Sequence, residues 1–126
     1  MGDDLGKKKI LLVDDDINSL DITISILSDK YKVAVSKSGK EALIILIKEK
    51  PDLILLDIIM PEMDGWETFY KIRGISSLQQ VPIAFLTSVT EPEGLEHAKI
   101  LGASDYFTKP LNRTDFLDRI EKILKK

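Results

Sequence analysis

The chain has 126 residues, of which 44% are apolar and 31% charged, and its formal net charge is −3. This length suits a single domain with its own core, and the small negative charge excludes a broad electrostatic surface for nucleic acid. The absence of cysteine excludes disulfides and thiol chemistry, and the longest apolar run, Ala42 to Ile47, is too short to cross a membrane.

The start of the chain mixes acidic and basic residues and lacks the apolar stretch of a secretory signal. We therefore expect a cytoplasmic location. We predict a disordered extension over residues 1–7 and one domain over residues 8–126.

Taken in chain order, the apolar pattern alternates five short strands with five helical segments. This alternation predicts a parallel sheet covered by helices on both faces and joined by right-handed crossovers. The second strand is more mixed than the most apolar ones, which favours an edge position. The strands are predicted at Ile10–Val13, Tyr31–Ser36, Leu53–Leu56, Ile83–Leu86 and Tyr106–Thr108.

The helices carry signals for their ends. Asp16 is a candidate cap for the first helix, and Gly102 can end the fourth in a left-handed conformation. Three helices are predicted to begin with a capping pair: Ser38 with Glu41, Asp64 with Glu67, and Thr90 with Glu93.

Single aromatic and titratable residues receive simpler interpretations. Trp66, Phe69 and Tyr70 recur at helical spacing and are predicted to be packing residues. His97 falls in a surface helix and is predicted to be solvated. These residues therefore predict no recognition site.

Polar side chains directly follow four of the predicted strands: Asp14 and Asp15, Asp57, Thr87, and Lys109. The carboxyl ends of parallel strands meet at one rim of an open sheet, so we expect these side chains to be neighbours. Two carboxylates ~4 Å apart repel by ~4 kcal/mol at an effective dielectric of ~20, so the three acids need a cation. Oxygen ligands favour Mg²⁺, and Lys109 adds a point charge for a phosphoryl oxygen. The sequence therefore predicts a metal-dependent phosphoryl site.

Four motifs together resemble the receiver domain of two-component response regulators, over nearly the entire chain. They are Val13-Asp14-Asp15-Asp16, Asp57 through Gly65, Leu86-Thr87-Ser88, and Tyr106 through Pro110. The resemblance implies a flavodoxin-like α/β fold, a doubly wound five-stranded parallel sheet in the order 2-1-3-4-5 with five helices. It also implies a phosphorylation-dependent signalling switch in a phosphorelay, and no enzyme acting on a separate substrate.

The resemblance assigns roles to the site residues. Asp57 is the phosphoacceptor, and Lys109 contacts a phosphoryl oxygen. The Mg²⁺ cofactor is held by Asp14, Asp15, Asp57 and the backbone carbonyl of Ile59.

Thr87 is also expected to contact the phosphoryl group, and it forms the conformational switch together with Tyr106. Ile59 and Val89 are apolar at positions that influence dephosphorylation in this family, which predicts a phosphorylated state that is not unusually short-lived. Alternatively, Tyr106 has no switch role and is only an aromatic residue that covers the edge of the sheet.

The resemblance also implies the partners. A sensor histidine kinase or phosphotransfer protein supplies the phosphoryl group, and a downstream protein or attached output domain binds the surface of the fourth helix, fifth strand and fifth helix. The same surface could form a phosphorylation-induced homodimer. No direct contact with nucleic acid or membrane is expected.

Two alternatives stay open at the sequence level. The first is a receiver-like protein-binding module that is not phosphorylated in the cell. The second is a small aspartate-dependent phosphatase, since Asp14 and Asp16 form an Asp-x-Asp pattern at a strand end. Asn18 and the absence of a cap insertion argue against the phosphatase.

Overall fold

The computed structural model describes residues 6–125, which contain one parallel sheet with the strand order β2-β1-β3-β4-β5. The strands are β1 (Lys9–Val13), β2 (Lys32–Ser36), β3 (Leu53–Leu56), β4 (Ile83–Thr87) and β5 (Asp105–Thr108). The helices are α1 (Ile17–Leu27), α2 (Gly39–Lys48), α3 (Gly65–Arg73), α4 (Pro92–Leu101) and α5 (Arg113–Leu124). The predicted fold class, strand order and edge position of β2 are confirmed.

The side chains of the sheet belong to two separate hydrophobic cores, because successive side chains of a strand point to opposite faces of the sheet. On one face, Leu11 and Phe85 belong to the core formed with α2, α3 and α4. On the other face, Leu12 and Leu86 belong to the core formed with α1 and α5. Burial on both faces explains why β1, β3 and β4 read as nearly unbroken apolar runs.

Three of the predicted helix caps are confirmed. The Asp16 carboxylate accepts the Asn18 amide at the start of α1. Ser38 and Asp64 accept the backbone amides three residues further on, at 3.0 and 2.9 Å. Gly102 ends α4 with φ 83°, the left-handed conformation that was predicted for it.

The predicted start of α4 is wrong. This helix begins at Pro92 with Glu91 as its N-cap, and no side chain caps it. A cap at Thr90 would make Glu91 the first helical residue, and a residue that precedes proline is sterically disfavoured in the helical region. Pro92 has no amide hydrogen to satisfy and its φ is already helical, so it starts the helix itself.

The aromatic predictions are partly confirmed. Phe69 is buried and Trp66 is half-buried, but Tyr70 is 60% exposed and is not a packing residue. The His97 ring stands edge-on to the Trp66 ring, with the ring centroids 4.3 Å apart. The prediction of a solvated His97 is therefore wrong, since its α4 position faces α3.

Two further predictions concern membrane insertion and the N-terminal extension. Among residues 6–125, no helix combines the length and the apolar content that crossing a membrane would require. Most of the predicted extension, residues 1–5, lies outside the described residues, so its disorder stays a prediction.

Candidate functional site

Asp14 and Asp57 are neighbours because β1 and β3 pair in register at Val13 and Leu56, the last residue of each strand. The Asp57 amide donates to the Val13 carbonyl at 2.9 Å. Asp14 is fully buried and Asp57 is 6% exposed, whereas Asp15 is exposed. One carboxylate oxygen from each of the three acids lies within 4.8 Å of the others. We call Asp14, Asp15 and Asp57 the acidic cluster.

Lys109 brings a positive charge to the acidic cluster from the end of β5. Its Nζ lies 2.8 Å from Asp14 Oδ2 and 3.1 Å from Asp57 Oδ2. The Lys109 amide donates to the Thr87 carbonyl at 2.8 Å, which fixes its backbone beside the end of β4. A cis peptide bond joins Lys109 to Pro110. A single lysine thus bridges the two buried carboxylates.

Further hydrogen bonds orient the two buried carboxylates. Asp14 Oδ1 accepts the Asp16 amide at 3.0 Å, and Asp14 Oδ2 accepts the Ser19 hydroxyl at 2.7 Å. Asp57 Oδ1 accepts the Ile58 amide at 2.7 Å. Both carboxylates are therefore held by the polypeptide before any ligand arrives.

The pKa values of Asp14 and Asp57 are shifted in opposite directions. Burial raises the pKa of Asp57 to about 6, the negative charge of Asp14 adds to the rise, and Lys109 opposes it. Burial also disfavours the charge of Asp14, but hydrogen bonds, chiefly from Lys109, outweigh burial and hold the pKa of Asp14 below its ordinary value. Burial works against the charge of Lys109 too, yet the two carboxylates raise the pKa of Lys109. Asp57 therefore holds its proton more tightly than Asp14 does.

The donor set of the acidic cluster fits a hard divalent cation such as Mg²⁺. Its ligand atoms are all carboxylate oxygens, which Mg²⁺ prefers. A cation would offset the charge of Asp14, which adds to burial in raising the pKa of Asp57. Asp15 is exposed, so an ion held there could keep several of its water ligands, as Mg²⁺ does in proteins.

Thr87 and Tyr106 are both bonded to Val89, in the loop between β4 and α4. Thr87 is buried, and its Oγ1 accepts the Val89 amide at 3.1 Å while keeping its own proton for another acceptor. The Tyr106 hydroxyl donates to the Val89 carbonyl at 2.8 Å. A Cβ at Gly94 would lie 2.7 Å from the Tyr106 hydroxyl oxygen, so the glycine makes room for this ring. One loop residue therefore links the end of β4 to the side chain from β5.

The loop between β3 and α3 borders the acidic cluster. Ile59 lies on it, two residues beyond Asp57, with a side chain that is 62% exposed. The loop returns tightly, since the Gly65 amide donates to the Ile58 carbonyl at 2.7 Å. A Cβ at Gly65 would collide with the backbone of Asp57, so only glycine fits there.

The structure brings together Asp14, Asp15, Asp57 and Lys109. It places Thr87 and Tyr106 beside the loop between β4 and α4, where both side chains make hydrogen bonds to Val89. Ile59 lies in the loop that follows Asp57. Sequence reasoning missed two residues with clear roles in this geometry, Ser19 and Gly94. Ser19 left no signal in the sequence, since Asn18, Asp21, Thr23 and Ser25 are also polar residues of α1.

Comparisons with known proteins agree with this geometry. The chain matches the family model of the response regulator receiver domain over residues 10–121. A protein of Leptolyngbya boryana, uncharacterised and of 14.6 kDa, is 34% identical over 119 residues, which cover 94% of this chain and 91% of that protein. The solved structure of the chemotaxis protein CheY4 of Vibrio cholerae has a TM-score of 0.87 at 33% identity, covering 94% of this chain and 100% of that chain.

Other relatives are longer than this chain. A Vibrio cholerae protein named as a probable cyclic di-GMP phosphodiesterase is 38% identical over 110 residues, which cover 87% of this chain but 25% of that protein. The chain spans about half the length of several other curated relatives.

Proposed function

Since the chain belongs to the response regulator receiver domain family, we propose that it is the phosphorylation-dependent switch of a two-component phosphorelay. Asp57 accepts a phosphoryl group from a phosphohistidine of a sensor kinase or a phosphotransfer protein. The observation that carries this proposal is the buried Asp57 carboxylate, whose Oδ2 lies 3.1 Å from Lys109 Nζ and beside two further acids.

In the transfer, a carboxylate oxygen of Asp57 attacks the phosphorus atom. The phosphorus–nitrogen bond to the donor imidazole breaks, and its electron pair leaves with the nitrogen. Since the pKa of Asp57 is about 6, its carboxylate is mostly ionised at neutral pH and is ready to act as the nucleophile.

The neighbouring residues supply position and charge. Asp14, Asp15, Asp57 and the Ile59 carbonyl are proposed to hold Mg²⁺, which when bound neutralises charge on the phosphoryl oxygens. Lys109 Nζ, now shared between two carboxylates, would turn to a phosphoryl oxygen. This arrangement needs little motion, because Lys109 already lies within hydrogen-bonding distance of Asp57.

The output is proposed to run through Thr87, Val89 and Tyr106. If the Thr87 hydroxyl donates to a phosphoryl oxygen, the loop at Val89 shifts and the packing of Tyr106 shifts with it. Reversing a 1:99 equilibrium to 99:1 takes ~5.5 kcal/mol, and hydrogen bonds to charged groups contribute ~1.5 to 3 kcal/mol each. Two or three new bonds in the phosphorylated state are therefore sufficient.

The surface that changes is formed by α4, β5 and α5. On α4, Ile100 is 76% exposed and Leu95 is 40% exposed, which gives this surface apolar contact area. We propose that a downstream protein, an attached output domain or a second copy of the chain binds there. The cytoplasmic location stays a prediction.

The phosphatase alternative fits the structure poorly. In such a phosphatase the second acid of the Asp-x-Asp pattern, here Asp16, would have to lie in the reaction site with Asp14. Asp16 is instead exposed, and its carboxylate accepts the Asn18 amide as the cap of α1. We therefore propose a regulatory domain that accepts a phosphoryl group and has no separate substrate.

The test is a phosphorylation assay with acetyl phosphate and Mg²⁺, read as intact mass. Wild type should gain one phosphoryl adduct that chelator prevents, and Asp57→Asn should gain none. Asp118→Asn, which changes an exposed acid of α5 in the same way, should behave as wild type. A wild type that gains no adduct with Mg²⁺ would favour the module that is never phosphorylated.

A further inference from the structure

Ser19 lies in the first turn of α1 and contacts the acidic cluster from the helix side. Its side chain is buried, with 9% of the residue exposed, and its hydroxyl donates to Asp14 Oδ2 at 2.7 Å. The Ser19 carbonyl accepts the buried Thr23 hydroxyl at 2.9 Å, and the next residue, Leu20, packs in the core under α1. Ser19 is thus held by the body of the domain and not by a loop.

The hydrogen bonds of Asp14 divide its two oxygens between different tasks. A carboxylate offers about four acceptor positions, two on each oxygen. Oδ2 is filled by Ser19 and Lys109, whereas Oδ1 accepts only the Asp16 amide among the hydrogen bonds described for residues 6–125. The remaining position for a cation or its bound water is therefore on Oδ1.

We propose that Ser19 is a positioning residue for the metal site: its hydroxyl fixes the rotation of the Asp14 carboxylate so that Oδ1 faces the cation. This inference rests on the proposed function, because it assumes that the acidic cluster holds Mg²⁺. If Lys109 turns to the phosphoryl group, Ser19 is the side chain that keeps hold of Oδ2. The same hydrogen bond would then serve the site before and after phosphoryl transfer.

A purely structural role makes a different prediction. If the Ser19 hydroxyl only satisfies a buried polar atom, its removal changes folding stability and leaves Mg²⁺ affinity alone. If it positions Asp14, Mg²⁺ affinity falls. Loss of a partner that orients a metal ligand typically weakens metal binding 10- to 100-fold. Lys109 and the Asp16 amide still hold Asp14, so we expect the lower end, about tenfold.

The experiment is calorimetric titration of the purified domain with magnesium chloride, for wild type, Ser19→Ala and Ser25→Ala. Ser25 is the matched control, because it lies on the same helix, is exposed, and its hydroxyl donates to the Ile22 carbonyl. Thermal melts in chelator show that each variant is folded. Ser19→Thr keeps a hydroxyl donor and should recover most of the affinity.

We expect Ser19→Ala to raise the Kd for Mg²⁺ about tenfold and Ser25→Ala to leave it unchanged. With acetyl phosphate, Ser19→Ala should need more Mg²⁺ for half-maximal rate, while the rate at saturating Mg²⁺ stays within about twofold.

A wild-type Kd in Ser19→Ala, or an equal loss in Ser25→Ala, would overturn the positioning role alone. The same holds if the rate falls at saturating Mg²⁺ with no change in the half-saturating concentration. A wild type that binds no Mg²⁺ would overturn the proposed function and this inference with it.

Discussion

Replacing Asp57 with asparagine is expected to stabilise the metal-free domain at neutral pH, although it removes the proposed phosphoacceptor. In the folded protein the pKa of Asp57 is raised from 3.8 to about 6, first by burial and then by the charge of Asp14. One pKa unit corresponds to about 1.4 kcal/mol, so the ionised carboxylate lowers the free energy of unfolding by about 3 kcal/mol. Asparagine keeps the shape and removes the charge, but it is a weaker partner for Lys109. We therefore expect a gain of about 1 to 3 kcal/mol.

This gain has a defined pH window. The folded pKa of Asp57 lies above the unfolded one, so the folded state holds the proton more tightly than the unfolded state. The resulting stability is present in full below pH 3.8 and is lost as the pH rises through about 6. The advantage of Asp57→Asn over wild type should accordingly be largest at neutral pH and vanish below about pH 4.

Urea unfolding followed by circular dichroism, in chelator at neutral and at acidic pH, measures the effect. Asp118→Asn is the control for the change in net charge, since Asp118 is exposed on α5. Saturating Mg²⁺ should reduce the difference in unfolding free energy between Asp57→Asn and wild type, because only wild type keeps the full set of proposed metal ligands. A ligand at 100 times its Kd stabilises the folded state by about 2.7 kcal/mol. No gain at neutral pH, or an equal gain at acidic pH, would refute the electrostatic reasoning.

Three further predictions concern the switch contact, the bridging lysine and the phosphoryl lifetime. Gly94→Ala places a methyl carbon 2.7 Å from the Tyr106 hydroxyl oxygen. We expect it to displace the ring and to reduce the unfolding free energy by about 1 to 3 kcal/mol; unaltered tyrosine NMR signals would contradict this packing. Lys109→Met leaves two buried carboxylates without their cation and should destabilise the metal-free domain by about 3 kcal/mol, with recovery in Mg²⁺. Equal unfolding curves for Lys109→Met and wild type in chelator would show that the bridge is not needed. The apolar Ile59 and Val89 predict a phosphoryl adduct that outlasts seconds, and its decay by mass spectrometry gives the direct check.

Much of the fold could be predicted because its signals are local. The central strands are apolar over their whole length since both faces of the sheet are covered, and β2 is mixed because it lies at the edge. Ser38 and Asp64 cap their helices within four residues of chain, so spacing alone was enough. The α4 start failed where two local rules competed, and the proline at position 92 prevailed over the cap at Thr90.

The residues of the candidate site also differ in whether local sequence signals could place them. The members of the acidic cluster follow strands, and the parallel topology brings strand ends together without further information. Ser19 and Gly94 could not be assigned from sequence, because their roles depend on how α1 and α4 rotate against the sheet. His97 was misjudged for the same reason, since only the packed structure shows Trp66 beside it.

Trp66 gives this domain a built-in optical probe. It is the chain's one tryptophan, and its indole packs 4.7 Å from the Phe85 ring of β4 and 4.3 Å from the His97 ring of α4. Any displacement of β4 or α4 changes the surroundings of that indole. Its emission can therefore time the response of the unlabelled protein to a phosphodonor in a rapid-mixing instrument, with no dye attached to a surface that a partner needs.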